Sequence, residues 1–377
     1  MPNNLDKSVP KPQLEHSRKA GDIEPFPSGR ITYLAPLPLP TPIPPSGPHI
    51  GELNEVYMDF GVGSPEVFSW QVILGLPFSG AFMIAFLIPL FSGFMFFLLG
   101  QSWDDIYDIT TRMFIEEAYE LALLTGFLTL FIGLCVWLHN HNKRAEIIPA
   151  RFNRQRREVC FMPEDATEPL FVPWESLSAW VIEAQGVTQY GVRRQYGMGI
   201  GFQHGETLTS VEFPCAGLPI AISYWEAIRG YMEYEVNDLK SIQDLEDLQL
   251  PGDPPHEGLH TFHNARARMH QQIRDGSRNR VSGFFWYLYH VMTLWTIPNH
   301  LTEWEIRRIK AMGQKMLPEV MQRWSEPLPK AQWAKPSDDL LRMSEQVRRL
   351  HKRQPGRAIT QIFAEVQHLN ARSKISG

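Results

Sequence analysis

The sequence predicts an α+β membrane protein made of a transmembrane helical hairpin, a cytosolic antiparallel β module after it, and a helical C-terminal tail. Three observations predict it. Two long uncharged apolar runs precede residue 143, several short runs rich in β-branched and aromatic residues follow them, and helical periodicity dominates the end of the chain. Bulk composition conceals this arrangement. The chain has 377 residues and a formal charge of only −5, and its mean hydropathy is slightly negative because a polar remainder offsets the apolar runs.

Residues 1–66 read as a disordered, Pro-rich tail. Twelve of the thirty prolines fall in the first fifty residues, and six of them lie in the run Ala35 to Pro45, separated by Leu37, Leu39, Thr41 and Ile43. Proline lacks an amide donor and fixes φ, so such a run favours extended polyproline II. It serves either as a docking ligand for an aromatic-lined groove or as a plain linker. The start of the chain has no apolar core of a cleavable signal sequence.

The hairpin is expected within 67–142. From Val67 to Trp103 no residue is charged, and Val72 to Leu99 is dense in Phe, Ile and Leu. About 20 apolar residues cross a bilayer core, so this run is long enough. Pro77 and Pro89 are tolerated in a membrane helix as kinks. The second run, Leu121 to Leu138, just spans the core. Lys143, Arg144, Arg151, Arg154, Arg156 and Arg157 follow it, whereas the connecting loop carries Asp104, Asp105, Asp108, Glu116 and Glu117 against Arg112. The positive-inside rule then puts both termini in the cytoplasm of a bacterial inner membrane and an acidic loop outside. Trp70, Trp103, Tyr119 and Trp137 sit near the expected interfaces. Gly75, Gly80, Gly93, Gly126 and Gly133 would let helices pack closely, within the chain or in a homo-oligomer. Neither run carries an ionisable residue at its centre, which argues against a transporter.

Residues 143–240 read as a β-rich module. Short β-type runs cover 157–162, 169–173, 177–183, 197–202 and 207–213, and a helix with Trp225, Ile228, Met232 and Val236 on one face follows. Strands closed by one helix suggest a pleckstrin-homology-like (PH-like) barrel or curled sheet. Residues 241–282 read as a polar linker, broken at Pro251 to Pro255. In the C-terminal region, 283–377, the aromatic stretch Phe284 to Ile297 is short for a span. It reads as a helix lying on the bilayer or packed against the hairpin, or as an ordinary buried helix. Helices are expected over 303–320 and 338–352.

Catalytic readings are weak. His256-Glu257-Gly258-Leu259-His260 matches the zinc-protease pattern, in which two histidines on one helical face hold the metal and the glutamate activates its water. Prolines stand immediately before it and a glycine inside it, so the rigid helix that a metal hydrolase needs is poorly supported and no metal or cofactor is expected. The glycines of Gly197-Met198-Gly199-Ile200-Gly201 fit no phosphate loop and read as a bulge or bend in a sheet. His139 and His141 read as interfacial polarity, and Cys135, Cys160 and Cys215 have no pattern of a thiol nucleophile or a disulfide framework. Basic residues form no aromatic-interleaved patch, so nucleic acid is not expected as a partner.

Arg151-Phe152-Asn153-Arg154-Gln155-Arg156-Arg157-Glu158-Val159 after two apolar helices, then Val172-Pro173-Trp174-Glu175 and Ala179-Trp180-Val181, resembles an uncharacterised family of two-helix membrane proteins of Gram-negative bacteria. Trp324 to Pro329 and Gln332 to Ser337 extend the resemblance, which covers about Trp70 to Ser337. Members of that family tend to be encoded near type VI secretion effectors. The resemblance implies a non-catalytic immunity protein, with an adaptor that loads or recruits an effector as the alternative, and a cognate toxin or effector as partner. It supplies no catalytic residues. From the residues themselves, Arg151, Arg154, Arg156 and Arg157 are expected at headgroup level, and Trp174 and Trp180 are expected to anchor the module. Phe285, Trp286 and Tyr287 complete the candidate membrane-interface or partner-binding residues.

Overall fold

The structure, a computed structural model, describes residues 18–61, 64–163, 168–188, 191–204, 207–242 and 248–375. The described residues form two compact bodies, each assembled from separated stretches of chain. The β body draws on the described residues within 1–63, 148–244 and 317–377, and the helical body on those within 64–147 and 245–316. The expected succession of modules along the chain is corrected accordingly. The apolar hairpin and the helices within 245–316 are two insertions into one β body.

Among the described residues, ten strands build the β body. They are β1 (Ile23–Phe26), β2 (Gly29–Ala35), β3 (Ile50–Leu53), β4 (Tyr57–Phe60), β5 (Ala150–Asn153), β6 (Glu158–Phe161), β7 (Leu170–Pro173), β8 (Ser178–Thr188), β9 (Gly191–His204) and β10 (Thr207–Cys215). They form two antiparallel five-stranded sheets, ordered β1-β2-β8-β9-β10 and β3-β4-β5-β6-β7. Both sheets therefore need strands from before the hairpin. β4 pairs directly with β5, Asp59 opposite Arg151 and Phe60 opposite Ala150, although the whole hairpin lies between them in sequence.

This corrects the disordered tail expected over 1–66. The prolines sit where sheets tolerate them: Pro25 lies in edge strand β1, Pro27 in the turn to β2, and the run from Pro36 onward lies between strands. Residues 1–17 lie outside the described residues. Nor is the Pro-rich run a free docking arm. Leu39 is fully buried, the Thr41 amide donates to Glu226 Oε2 at 3.1 Å, and Ser223 Oγ donates to the Pro44 carbonyl.

The helices are α1 (Val67–Leu98), α2 (Trp103–Lys143), α3 (Leu218–Met232), α4 (Leu259–Arg274), α5 (Arg280–Met292), α6 (Ile297–Met316), α7 (Glu319–Trp324), α8 (Asp338–Arg353) and α9 (Ile359–Ile375). The β body's core joins Phe60, Phe152, Trp174 and Trp225 to Leu340, Met343 and Val347 of α8 and Ile362, Phe363 and Val366 of α9. The last two helices thus close the β body instead of forming a tail, because their apolar residues recur every three to four positions and face that core. The linker expected over 241–282 is also corrected. It contains α4, whose Phe262 and Met269 are buried among otherwise polar neighbours.

The glycines of β9 have a different reason from the bulge expected. Register between β8 and β9 runs unbroken through them, with Trp180 opposite Gly199. A Cβ at 199 would stand 2.3 Å from the Trp180 indole, so glycine is what lets the ring lie over the backbone.

Candidate membrane-anchoring site

In the helical body, α1 and α2 are 32 and 41 residues long, long enough and apolar enough to cross a membrane. At about 1.5 Å per residue they exceed the roughly 30 Å of a bilayer core. Only 6 % of the most apolar window of α2 is buried. Phe91, Phe127, Phe131 and many other large apolar side chains face outward. The two helices also pack on each other. Gly126 meets Ala81 and Pro77, Gly133 meets Ile73, and Gly93 meets Thr110, so small residues set the antiparallel approach.

The prolines in α1 do not end it. Pro77 follows a widened π turn over Gln71–Gly75, and Pro89 follows another over Met83–Leu87. A proline ring clashes with the carbonyl four residues back, here Ile73 and Ala85, and both carbonyls lie in the widened turns that make room. The loop expected between spans is shorter than the acidic stretch suggested. Ser102 caps α2 by accepting from the Asp105 amide, and Asp104 and Asp105 occupy the first turn, where carboxylates favour a helix N-terminus.

Where the helices' other ends meet, an aromatic and polar cluster forms. Trp70 of α1 lies 5.2 Å from Trp137 of α2 between ring centroids, and Trp137 stacks on His141 at 5.1 Å. From α6, Trp304 reaches Trp137 and Glu305 accepts a hydrogen bond from Trp70 Nε1 at 2.9 Å. Glu305 also stands 3.8 Å from His141 Nδ1. His141 and Glu305 are both buried. The interfacial polarity expected of His141 is therefore corrected, because α6 folds over it. Trp70 and Trp137 stand out in the sequence as interfacial aromatics, whereas nothing local marks Trp304 or Glu305, which lie more than 160 residues further along the chain.

The protease-like motif sits at this same end and is occupied with helix capping. The helix begins at Leu259, so His256 and Glu257 precede it. The Val67 amide at the start of α1 donates to Glu257 Oε2. The Leu259 amide at the start of α4 donates to Glu303 Oε1 at 2.8 Å. Each carboxylate satisfies an orphan donor at a helix N-terminus. Burial pushes the Glu257 carboxyl above the ordinary range, against the pull of the Val67 amide. Among the described residues no three His, Cys, Asp or Glu side chains are grouped to hold a metal. Burial also pushes the Cys160 thiol up to about 12, which makes it a poor nucleophile.

The arginines expected at headgroup level lie inside the β body. Arg151 is buried, makes a two-pronged bond to Asp59 at 2.6 and 2.7 Å, donates to Ser325 Oγ and covers the Tyr57 ring. Arg154 is buried between the Tyr231 and Tyr234 rings and donates to the Glu55 carbonyl. Arg157 pairs with Glu233 and Glu175, and half-buried Arg156 donates to the Trp324 carbonyl. The physical reason is partner geometry. Carboxylates and carbonyls from distant segments desolvate these guanidinium groups and satisfy their forked donors. Trp174 and Trp180 are fully buried, Trp174 against Trp225 and Phe152, so neither is a contact surface. Of the candidate residues only the aromatic stretch keeps an exposed face. Phe285 points outward, while Trp286 and Tyr287 pack toward Phe262 and His270 of α4.

Compared with protein-family models, curated proteins and solved structures, the chain matches none of them.

Proposed function

We propose that this chain is a multi-pass inner-membrane protein whose α1–α2 hairpin crosses the bilayer with both chain ends cytoplasmic, and whose β body is a PH-like binding module. The observation that carries the reading is the antiparallel hairpin whose two ends meet at Trp70 and Trp137 while its flanks expose Phe, Leu and Ile. Bringing both ends to one level returns the chain to the side it left. Tryptophans at that level match an interfacial belt, and cations follow α2 rather than precede α1.

The function proposed on this anchor is non-catalytic immunity to an antibacterial toxin delivered by type VI secretion. Support comes from the resemblance of the Arg151 to Val159 and Trp174 segments to the Gram-negative family, and from the use of the motif's Glu257 as a helix cap. The adaptor alternative rested on a free Pro-rich arm, and that arm is packed against α3. Deleting this gene alone, with its neighbouring effector left intact, and competing the mutant against the parent strain separates the two. An immunity protein's loss should make cells sensitive to attack by the parent strain, with secretion of the effector unchanged. Full fitness in that competition would end the immunity reading, and failed secretion with intact self-protection would favour the adaptor.

A further inference from the structure

α5 presents two unlike faces. Gly283, Trp286, Tyr287 and His290 pack on α4: Gly283 lies against Met269 and Ile273, Phe262 meets Trp286 and His290, and Tyr287 bonds His270 at 2.8 Å. The opposite face carries Val281, Phe284, Phe285, Leu288, Tyr289 and Val291, all exposed and none charged; Phe284 and Phe285 are 63 % and 60 % exposed. That is an apolar stripe at helical spacing, left exposed except where the Tyr289 hydroxyl reaches α1.

The C-terminal end of this helix reaches along the hairpin. Tyr289 donates to Gln71 Oε1 at 2.8 Å, Thr293 packs on Gly75, and the Met292 carbonyl accepts from Ser79 Oγ at 3.0 Å. Ser79 is nine residues past Trp70, which at 1.5 Å per residue is about 13 Å along α1, well inside the uncharged span. The turn out of α5 has Leu294 and Trp295 at positive φ, and α6 then climbs back to place Trp304 and Glu305 at the Trp70 level. The exposed stripe is thus continuous with the exposed apolar surface of the hairpin. Its charged surroundings have one sign: across 259–292 stand Arg266, Arg268, Arg274, Arg278 and Arg280 against Asp275 alone, in a chain of net charge −5.

Resting on the hairpin reading above, we propose that α5 and the turn after it form a third membrane element, which enters the cytoplasmic leaflet without crossing it. Val281, Phe284, Phe285 and Leu288 meet acyl chains, and Arg278 and Arg280 at the start of α5 meet anionic phospholipid headgroups. The helix is too short to span, and an uncharged aromatic stripe flanked by arginines suits an interface.

The test uses the full chain in lipid nanodiscs, with the native cysteines replaced and a single environment-sensitive fluorophore at Phe285→Cys, Phe127→Cys on the hairpin, or Leu341→Cys on exposed α8. Brominated acyl chains should quench the probe at 285 and 127 and leave 341 unchanged. Quenching at 127 without quenching at 285 overturns the proposal and leaves the hairpin standing. In that case, protection of 285 from aqueous iodide would assign the stripe to a protein partner or a second copy. No quenching at either position overturns both. In discs containing phosphatidylglycerol, brominated phosphatidylglycerol should quench 285 in preference to brominated phosphatidylcholine. Arg278→Gln and Arg280→Gln should each weaken that preference, by roughly fivefold for a surface cation. Equal quenching by the two lipids in the parent would overturn the headgroup contacts.

Discussion

Replacing Arg151 with alanine should destabilise the β body by about 3–5 kcal/mol, the largest effect expected of any single change, because it leaves Asp59 buried without its partner. For a body of this size that lowers the melting temperature of the full chain in nanodiscs by roughly 10 °C or more. The pair sits at the β4–β5 seam, where the chain on either side of the hairpin insertion is stitched together. Burial pushes the Asp59 carboxyl above the ordinary range, and the two Arg151 bonds work against that push. In Arg151→Ala only the push remains. A folded-state carboxyl pKa raised above its unfolded value gives stability that is complete below the unfolded pKa and lost as pH rises through the folded one. The gap between variant and parent should therefore narrow in acid and widen toward neutrality. Asp59→Leu combined with Arg151→Met should recover most of the loss, since two apolar residues of similar volume leave no uncompensated charge. A melt of Arg151→Ala within a degree of the parent would show that the pair does not hold the seam.

Phe131→Arg should displace the chain from the membrane. Phe131 is 66 % exposed near the middle of the apolar run of α2, and a central arginine opposes insertion by about 2.5–3.5 kcal/mol, a shift of roughly a hundredfold in the insertion equilibrium. Phe131→Leu, which keeps the apolar face, should leave the protein in the carbonate-resistant membrane fraction. If Phe131→Arg stayed there in parental amount, that face of α2 would not be meeting lipid.

The two long apolar helices were legible in the sequence because length and the absence of charge are local properties of a run. So were β6 to β10 and α3, whose apolar spacing is self-contained. What escaped was whatever depends on distant partners. Strands β1 to β4 are short and hedged by proline, and only pairing to β5 and β8, more than 85 residues away in the chain, makes them strands. The arginines after α2 read as headgroup cations because their composition and position fit that role. Asp59, Glu233 and the Trp324 carbonyl, which claim them, lie far off in sequence. Glu257 carried a catalytic signature in its neighbours, yet its use as a cap depends on Val67, 190 positions earlier. Phe285 is exposed, but the packing of Trp286 and Tyr287 needed α4, which polar composition disguised.

Topology tests the central claim most directly. In spheroplasts of cells carrying a cysteine-free background, a membrane-impermeant maleimide should label Gln101→Cys, in the exposed turn between α1 and α2, while the membrane is intact. Lys335→Cys, exposed on the β body, should react only after lysis. Labelling of Lys335→Cys in intact spheroplasts, or equal protection of both positions, would contradict a hairpin that holds the β body on the cytoplasmic side.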